Sequence, residues 1–335
     1  MSTPQVSVLL PVRNDATHLP AAIASIQRQT LTDWELIVVD DGSTDGTTQW
    51  LQSAAEADRR LSIITQPALG LVPALNSGLK ACNAPLVARM DSDDIAHPRR
   101  LFTQLNAFKE QPELTLCASA VRHFPRPHIQ GGMLAYEKWQ NRLIGHCDIQ
   151  RNLFVESPFV HPSVMFKKQA VQTAGGYRKM PWAEDYDLWI RLAVSGSIFY
   201  RCPETLLYWR DRPERLTRTA ENCTLDAFRA CKVHFLSQSY LCNCQQVTLW
   251  GAGQEGKLWA RALRDAGINV NRWIEVDPKK IGQRIHGAPV CEPDDLNTHP
   301  AKTLITVGAR GARQQIRDWA DQHRLIEGEH YLCVT

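Results

Sequence analysis

Glu35-Leu-Ile-Val-Val-Asp-Asp-Gly-Ser-Thr-Asp45 is the stretch on which the fold turns. Its apolar run has no polar alternation, the pattern of a strand buried on both faces in a parallel sheet. The acids, Gly42, Ser43 and Thr44 then end the strand with turn-forming side chains. The same design recurs downstream, where Leu86-Val-Ala-Arg-Met90 runs into Asp91-Ser-Asp93-Asp94. Val6–Leu10 and Leu61–Ile64 supply two further short strands. Amphipathic segments lie between them: one with Asp15 as the expected N-cap and Leu19, Ile23 and Ile26 on one face, a second with Trp50, Leu51 and Ala54, a third with Leu71, Leu75 and Leu79. This strand–helix alternation predicts an open, doubly wound α/β sheet rather than a closed barrel.

Beyond residue 115 the period weakens and Pro125, Pro127, Gly131 and Gly132 accumulate, so 115–160 reads as an irregular insertion shaping a cleft. Order returns at Ser163–Phe166 and in a helix near Asp185–Val194, where Tyr186, Trp189, Ile190 and Ala193 share a face before Gly196. A polar, helical-looking stretch from Thr217 to Ser239 leads to a new strand, Val247–Trp250, and the rest reads as a small α/β unit.

The chain's 335 residues suit about two domains of roughly 100–200 residues each. Its 44% hydrophobic and 22% charged residues are ordinary globular proportions. Thirty-eight basic against 35 acidic residues leave a net charge of +3, too balanced to point to nucleic acid. No apolar run is long enough to span a bilayer. The N-terminal residues read as the start of a strand rather than a signal peptide, and none of the ten cysteines forms a C-x-x-C pair. Reduced thiols and a cytoplasmic location are therefore expected.

Both acidic clusters fall at the carboxyl ends of their strands, the edge at which open parallel sheets bind ligands. Carboxylates gathered in one crevice repel unless a cation or hydrogen-bond donors sit among them. Asp91 and Asp93 offer hard oxygen ligands, and two carboxylates plus substrate phosphates is a common way to hold Mg²⁺ or Mn²⁺. Strand termination and helix capping are the structural alternative for either cluster alone.

Taken in order, Pro11-Val-Arg-Asn14, Val39-Asp40-Asp41-Gly-Ser-Thr-Asp45, Met90-Asp91-Ser-Asp93-Asp94, His161-Pro-Ser163 and Glu184-Asp185-Tyr-Asp187-Leu-Trp189 resemble the motif set of family 2 glycosyltransferases. The resemblance runs from residue 4 to about 215. It implies the GT-A fold, an α/β sandwich with a mixed sheet that binds a nucleotide-sugar and a divalent metal, Mn²⁺ or Mg²⁺. It implies nucleotide-sugar contacts at Pro11, Asn14, Asp40, Asp41, Asp91 and Arg210, with Asp40 on the base, which is expected to be uracil. Asp91 and Asp93 match the D-x-D pair, with Asp93 on the metal. Asp185 matches the base that deprotonates the acceptor hydroxyl, as an inverting mechanism requires. Arg13 stands where many relatives have tyrosine, and Gly70 has no basic counterpart, so the nucleotide is less firmly specified. The acceptor implied is a saccharide or lipid-linked saccharide in surface polysaccharide synthesis, with peripheral contact at the inner membrane face.

Helix-start geometry would keep Asp185 ionised, whereas Glu184, Asp187 and partial burial would raise its pKa. His161 is balanced between a site role and a structural one. Arg210, Arg212, Arg215 and Arg218 are candidates for phosphate contacts or a solvated basic face. Trp182 is a candidate for stacking on an acceptor sugar or for the core. Arg99-Arg100 and Lys167-Lys168 are short basic pairs that would suit anionic lipid.

The expected domains are a transferase domain at 1–215, a helical linker at 216–245 and a Rossmann-like domain at 246–335. In the last, Gly251-Ala-Gly253-Gln-Glu-Gly256 follows a strand, and Glu275 and Asp277 lie downstream at the end of the next one. This context makes the C-terminal domain a candidate nucleotide site. Two rival readings follow: an NAD(P)-dependent oxidoreductase using Gly253 and Glu275, and a non-catalytic nucleotide-sugar sensor. The first leaves Asp91, Asp93 and Asp185 without a role.

Overall fold

The computed structural model describes residues 3–213, 220–299 and 301–335. The chain divides into two compact units, one of residues 1–150 and 158–219, the other of 151–157 and 220–335. Arg215 and Arg218 lie outside the described residues.

The first unit holds an eight-stranded sheet: β1 (Val6–Val12), β2 (Trp34–Asp41), β3 (Leu61–Gln66), β4 (Leu86–Arg89), β5 (Ile95–Ala96), β6 (Leu114–Phe124), β7 (Met165–Lys167) and β8 (Ile198–Arg210). Its order is β3-β2-β1-β4-β7-β6-β8-β5. The first four strands in that order are mutually parallel, β7 is antiparallel to both β4 and β6, and β5 is antiparallel to β8. The helices are α1 (Leu19–Gln27), α2 (Thr47–Ala57), α3 (Leu71–Ala81), α4 (Arg100–Glu110), α5 (Gly131–Gln140), α6 (His146–Asn152), α7 (Lys168–Thr173) and α8 (Glu184–Val194).

Every residue of β1 is buried, Ser7 among them, as in a strand covered on both faces. The core gathers Val8, Leu10, Ile23, Val38, Leu101 and Met165. At Gly78 of α3 a β-carbon would stand 2.2 Å from Leu9 Cδ1, so the missing side chain lets that helix lie against the sheet.

Several local expectations change. Asp15 does not cap α1: His18 holds the N-cap position, and the Asp15 carboxylate accepts a hydrogen bond from Ser92 Oγ at 2.6 Å and meets His18 Nδ1 at 2.7 Å. Residues 115–160 are not an irregular insertion, for β6 alone spans eleven residues and α5 and α6 follow it. The prolines and glycines that suggested irregularity fall in the turn between β6 and α5 and at the start of α5, not inside the strand. The basic pairs are not pairs of free surface cations: Arg99 is exposed, but Arg100 is fully buried and donates to the Arg89 carbonyl at 2.7 Å, and the Lys167 and Lys168 ammoniums donate to the Pro112 and Cys82 carbonyls.

The second unit is built on β9 (Gln246–Trp250), β10 (Asn269–Ile274), β11 (Arg284–Ile285), β12 (Ala288–Cys291), β13 (Thr303–Ile305) and β14 (Tyr331–Cys333), in the order β11-β12-β10-β9-β13-β14. The last five in that order are parallel, so the chain winds outward from β9 in both directions. Its helices are α9 (Leu225–Gln238), α10 (Gln254–Asp265), α11 (Asp295–Thr298) and α12 (Ala312–Gln322). Thr224 caps α9 by accepting from the Ala227 amide at 3.2 Å.

Residues 151–157 are structural members of this unit. The buried Lys232 ammonium donates to the Val155 carbonyl at 2.7 Å and to that of Val334 at 3.1 Å, and burial lowers its pKa. A β-carbon on Gly256 would fall 1.9 Å from the Gly251 carbonyl oxygen, so only glycine lets α10 start this close to β9. Gly256→Ala is expected to destabilise this unit by about 1–3 kcal/mol through overpacking, read as an earlier urea midpoint.

Candidate functional site

The carboxyl edge of β1, β2 and β4 carries the site. β2 continues through Asp40 and Asp41, which pair with Thr65 and Gln66 of β3, so both acids belong to the sheet rather than to the following turn. Asp40 is fully buried; its carboxylate accepts from the Ser43 amide at 3.0 Å and from the Thr48 hydroxyl. Asp41 accepts from Gln66 Nε2 at 2.7 Å and from the Leu69 and Gly70 amides at 2.9 and 2.8 Å. Gly42 makes the turn between these clamps: φ is 71°, and a β-carbon would lie 2.8 Å from the Ala68 amide nitrogen. Asn14, at φ 53°, joins the loop after β1 to this turn, its side-chain carbonyl accepting from the Thr44 amide at 2.7 Å. Pro11 is buried inside β1 opposite Val39.

Beyond β4, Asp91, Asp93 and Asp94 bring carboxylate oxygens within 4.8 Å of one another, a hard-oxygen donor set suited to a small divalent cation. Basic groups surround them. Arg89, almost wholly buried in β4, forms an ion pair with Asp91. Arg210 ends β8: its amide donates to Asp94 at 2.7 Å and its Nε to the Asp93 carbonyl at 2.7 Å, while its guanidinium lies 4.5 Å from the Phe124 ring centre. The antiparallel pairing of β5 with β8 brings this strand end to the acidic loop, although more than a hundred residues separate them in sequence. Arg212 approaches Asp93 at 2.9 Å and Asp15 at 3.4 Å.

Asp185 stands in the first turn of α8. Burial, then the adjacent Glu184 charge, push its pKa up to about 8, against the hydrogen bond from its neighbour's amide and the attraction of Arg89. The helix start therefore does not keep it ionised. Asp187, by contrast, is ion-paired with Arg178 and Arg191 and accepts the Trp182 indole N–H inside the fold. Burial also acts on Glu184, but His161, 3.6 Å away, and Arg89 hold its pKa below the usual range. The two neighbouring carboxyls are thus pushed in opposite directions, Asp185 up and Glu184 down. His161 is buried against Tyr177, with 3.0 Å between Nε2 and the hydroxyl, and burial and Arg89 lower its pKa. Trp182 is buried with its N–H spent on Asp187, which removes it as a free stacking platform.

Arg89 is the residue that sequence reasoning missed. It pairs with Asp91 of the acidic loop and acts electrostatically on Glu184, Asp185 and His161. Its signal was available, since a lone arginine inside a buried strand must find an anionic partner.

The sequence profile described as Glycosyl transferase family 2 matches residues 7–173, stopping short of Glu184. The amylovoran biosynthesis glycosyltransferase AmsE of Erwinia amylovora is 31% identical over 206 residues, covering 60% of this chain and 74% of that protein. The Escherichia coli UDP-Gal:alpha-D-GlcNAc-diphosphoundecaprenol beta-1,3-galactosyltransferase is 31% identical over 200 residues, 58% of this chain and 70% of its own. Among solved structures, S. aureus TarS 1-349 in complex with UDP superposes with a TM-score of 0.54 at 16% identity, covering 77% of this chain and 70% of that one, a likeness of fold. With the first unit's mixed sheet and its five motifs in order, these matches establish that the chain belongs to family 2 of the glycosyltransferases and has their GT-A fold.

Proposed function

We propose that the first unit transfers a sugar from a nucleoside diphosphate donor, with uridine as the nucleoside, to a saccharide or lipid-linked saccharide acceptor in surface polysaccharide synthesis, inverting the anomeric centre. The observation that carries this is one cationic residue, Arg89, acting on both the D-x-D carboxylate Asp91 and the high-pKa carboxyl Asp185. The similarity to enzymes named for amylovoran and for a diphosphoundecaprenol-linked acceptor supports the acceptor class. The UDP complex of TarS favours uridine among nucleosides to test first.

In this reading Asp185 accepts the proton of the acceptor hydroxyl as its oxygen bonds to the anomeric carbon. The bond from that carbon to the diphosphate oxygen breaks, and the nucleoside diphosphate departs. Asp91 and Asp93 would hold Mn²⁺ or Mg²⁺, which when bound supplies Lewis-acid stabilisation of the leaving diphosphate. Asn14 and Asp41 shape the loops that receive the nucleotide, and Asp40, buried as it is, would meet a base through the acceptor capacity that Ser43 and Thr48 leave. Arg210 fixes the acidic loop through Asp94 and the Asp93 carbonyl, next to where the diphosphate would lie.

Thermal shifts with UDP, GDP, dTDP, CDP and NADH, each with Mn²⁺ and with chelator, test the donor. At a hundred times its dissociation constant, a ligand stabilises by about 2.7 kcal/mol. The expected result is metal-dependent stabilisation by UDP; stabilisation by NADH alone would transfer the chemistry to the second unit.

A nucleotide site in the second unit is a second reading, favoured by β9's central place in the parallel sheet and by the Gly251–Gly256 approach. There Glu275, at the end of β10, is held by Lys280 at 2.9 Å, which keeps its pKa low against burial. A metal-independent NADH or nucleotide shift lost in Glu275→Ala would support it.

A further inference from the structure

We propose that Arg212 is the resident counter-cation of the Asp15–Asp93 carboxylate pair, and that a divalent cation reaches Asp93 only as this guanidinium withdraws. The inference rests on the metal reading of the D-x-D loop given above. Asp15 and Asp93 are both buried, and Asp93 has carboxylate oxygens of Asp91 and Asp94 within 4.8 Å, a crowding of buried negative charge that needs positive charge beside it. Arg212 spans them, with Nε 2.9 Å from Asp93 Oδ2 and Nη1 3.4 Å from Asp15 Oδ1.

The three described arginines at this loop differ in how firmly they are held. Arg89 lies inside a strand and is buried, and Arg210 is anchored by its own amide and by the Asp93 main chain. Arg212 follows the end of β8, outside regular structure, and its side chain is 33% exposed. It can therefore leave without dismantling a strand. A cation and a guanidinium on the same carboxylate repel, so each weakens the other's hold. The released guanidinium fork suits diphosphate oxygens, so a donor offers Arg212 a second anion at the moment the metal displaces it from the first. Metal and donor would then bind with positive coupling, because the donor compensates the ion pair that the metal breaks.

The test is titration of Mn²⁺ followed by the loss of its free-ion electron paramagnetic resonance signal, without and with UDP. The proteins are the wild type, Arg212→Ala, Arg212→Gln and Asp93→Asn. A partly exposed ion pair of ordinary strength predicts about two- to fivefold tighter Mn²⁺ binding by both Arg212 variants without nucleotide. The gain in Mn²⁺ affinity on adding UDP should shrink by a similar factor. Mn²⁺ binding that Asp93→Asn abolishes but both Arg212 variants leave equal or weaker overturns the inference and leaves the metal reading standing. No Asp93-dependent Mn²⁺ binding in any protein, with or without UDP, overturns both.

Discussion

Asp185→Asn is expected to lower kcat by about 10²–10⁴-fold while leaving donor affinity close to that of the wild type. The amide keeps the size of the carboxyl but cannot take the acceptor's proton. A fall in donor affinity matching the fall in kcat would instead make Asp185 a binding residue. The wild-type pH profile is the companion measurement. A base must be ionised, and burial and Glu184 push this carboxyl up to about 8, so activity should rise with pH and level off above that value. The same shift sets the sign of a stability effect. The folded protein retains the Asp185 proton at pH values where the unfolded chain has lost it, so this group's contribution to stability falls as pH rises from about 4 to about 8. Asp185→Asn removes that dependence, and its melting temperature should gain on the wild type as pH rises from about 4 to about 8 and keep that gain above it. A variant that loses activity but melts lower at pH 9 would mean that the ionised carboxylate supports the fold.

The second large effect is at Asp93. Asp93→Asn is expected to abolish the Mn²⁺-dependent part of the UDP thermal shift and to lower kcat/KM by about 10²-fold or more, the scale at which one dominant electrostatic contact to a leaving group is lost. Retained Mn²⁺-dependent stabilisation would move the metal to Asp91 and Asp94. Asp93 is also one of the two carboxylates that Arg212 spans, so the variant removes that ion pair and leaves the contact to Asp15. Metal-free melting is the control, and a loss of more than about 1 kcal/mol there would show that the ion pair matters to stability as well.

Local order along the chain is enough to specify part of this protein. Apolar runs broken by Asp-rich turns specified the parallel half of the first sheet and the edge on which the acids gather, because strand burial and turn chemistry act over a few residues. The D-x-D loop and the Glu184–Asp187 helix start were legible for the same reason, and so was the glycine-rich turn after β9. Local order does not specify what happens where two segments distant in sequence share a partner. The acids of α8 look alike in sequence, yet Asp187 is ion-paired with two arginines and accepts an indole N–H, while Asp185 keeps a raised pKa. The pairing of β5 with β8 that delivers Arg210 to the acidic loop, the burial of Arg100 and the membership of residues 151–157 in the second unit were likewise decided in three dimensions. Residue type and spacing establish which charges a chain carries. Which of them are neutralised, desolvated or poised depends on what packs against each one, and that exists only once the sheets have closed around them.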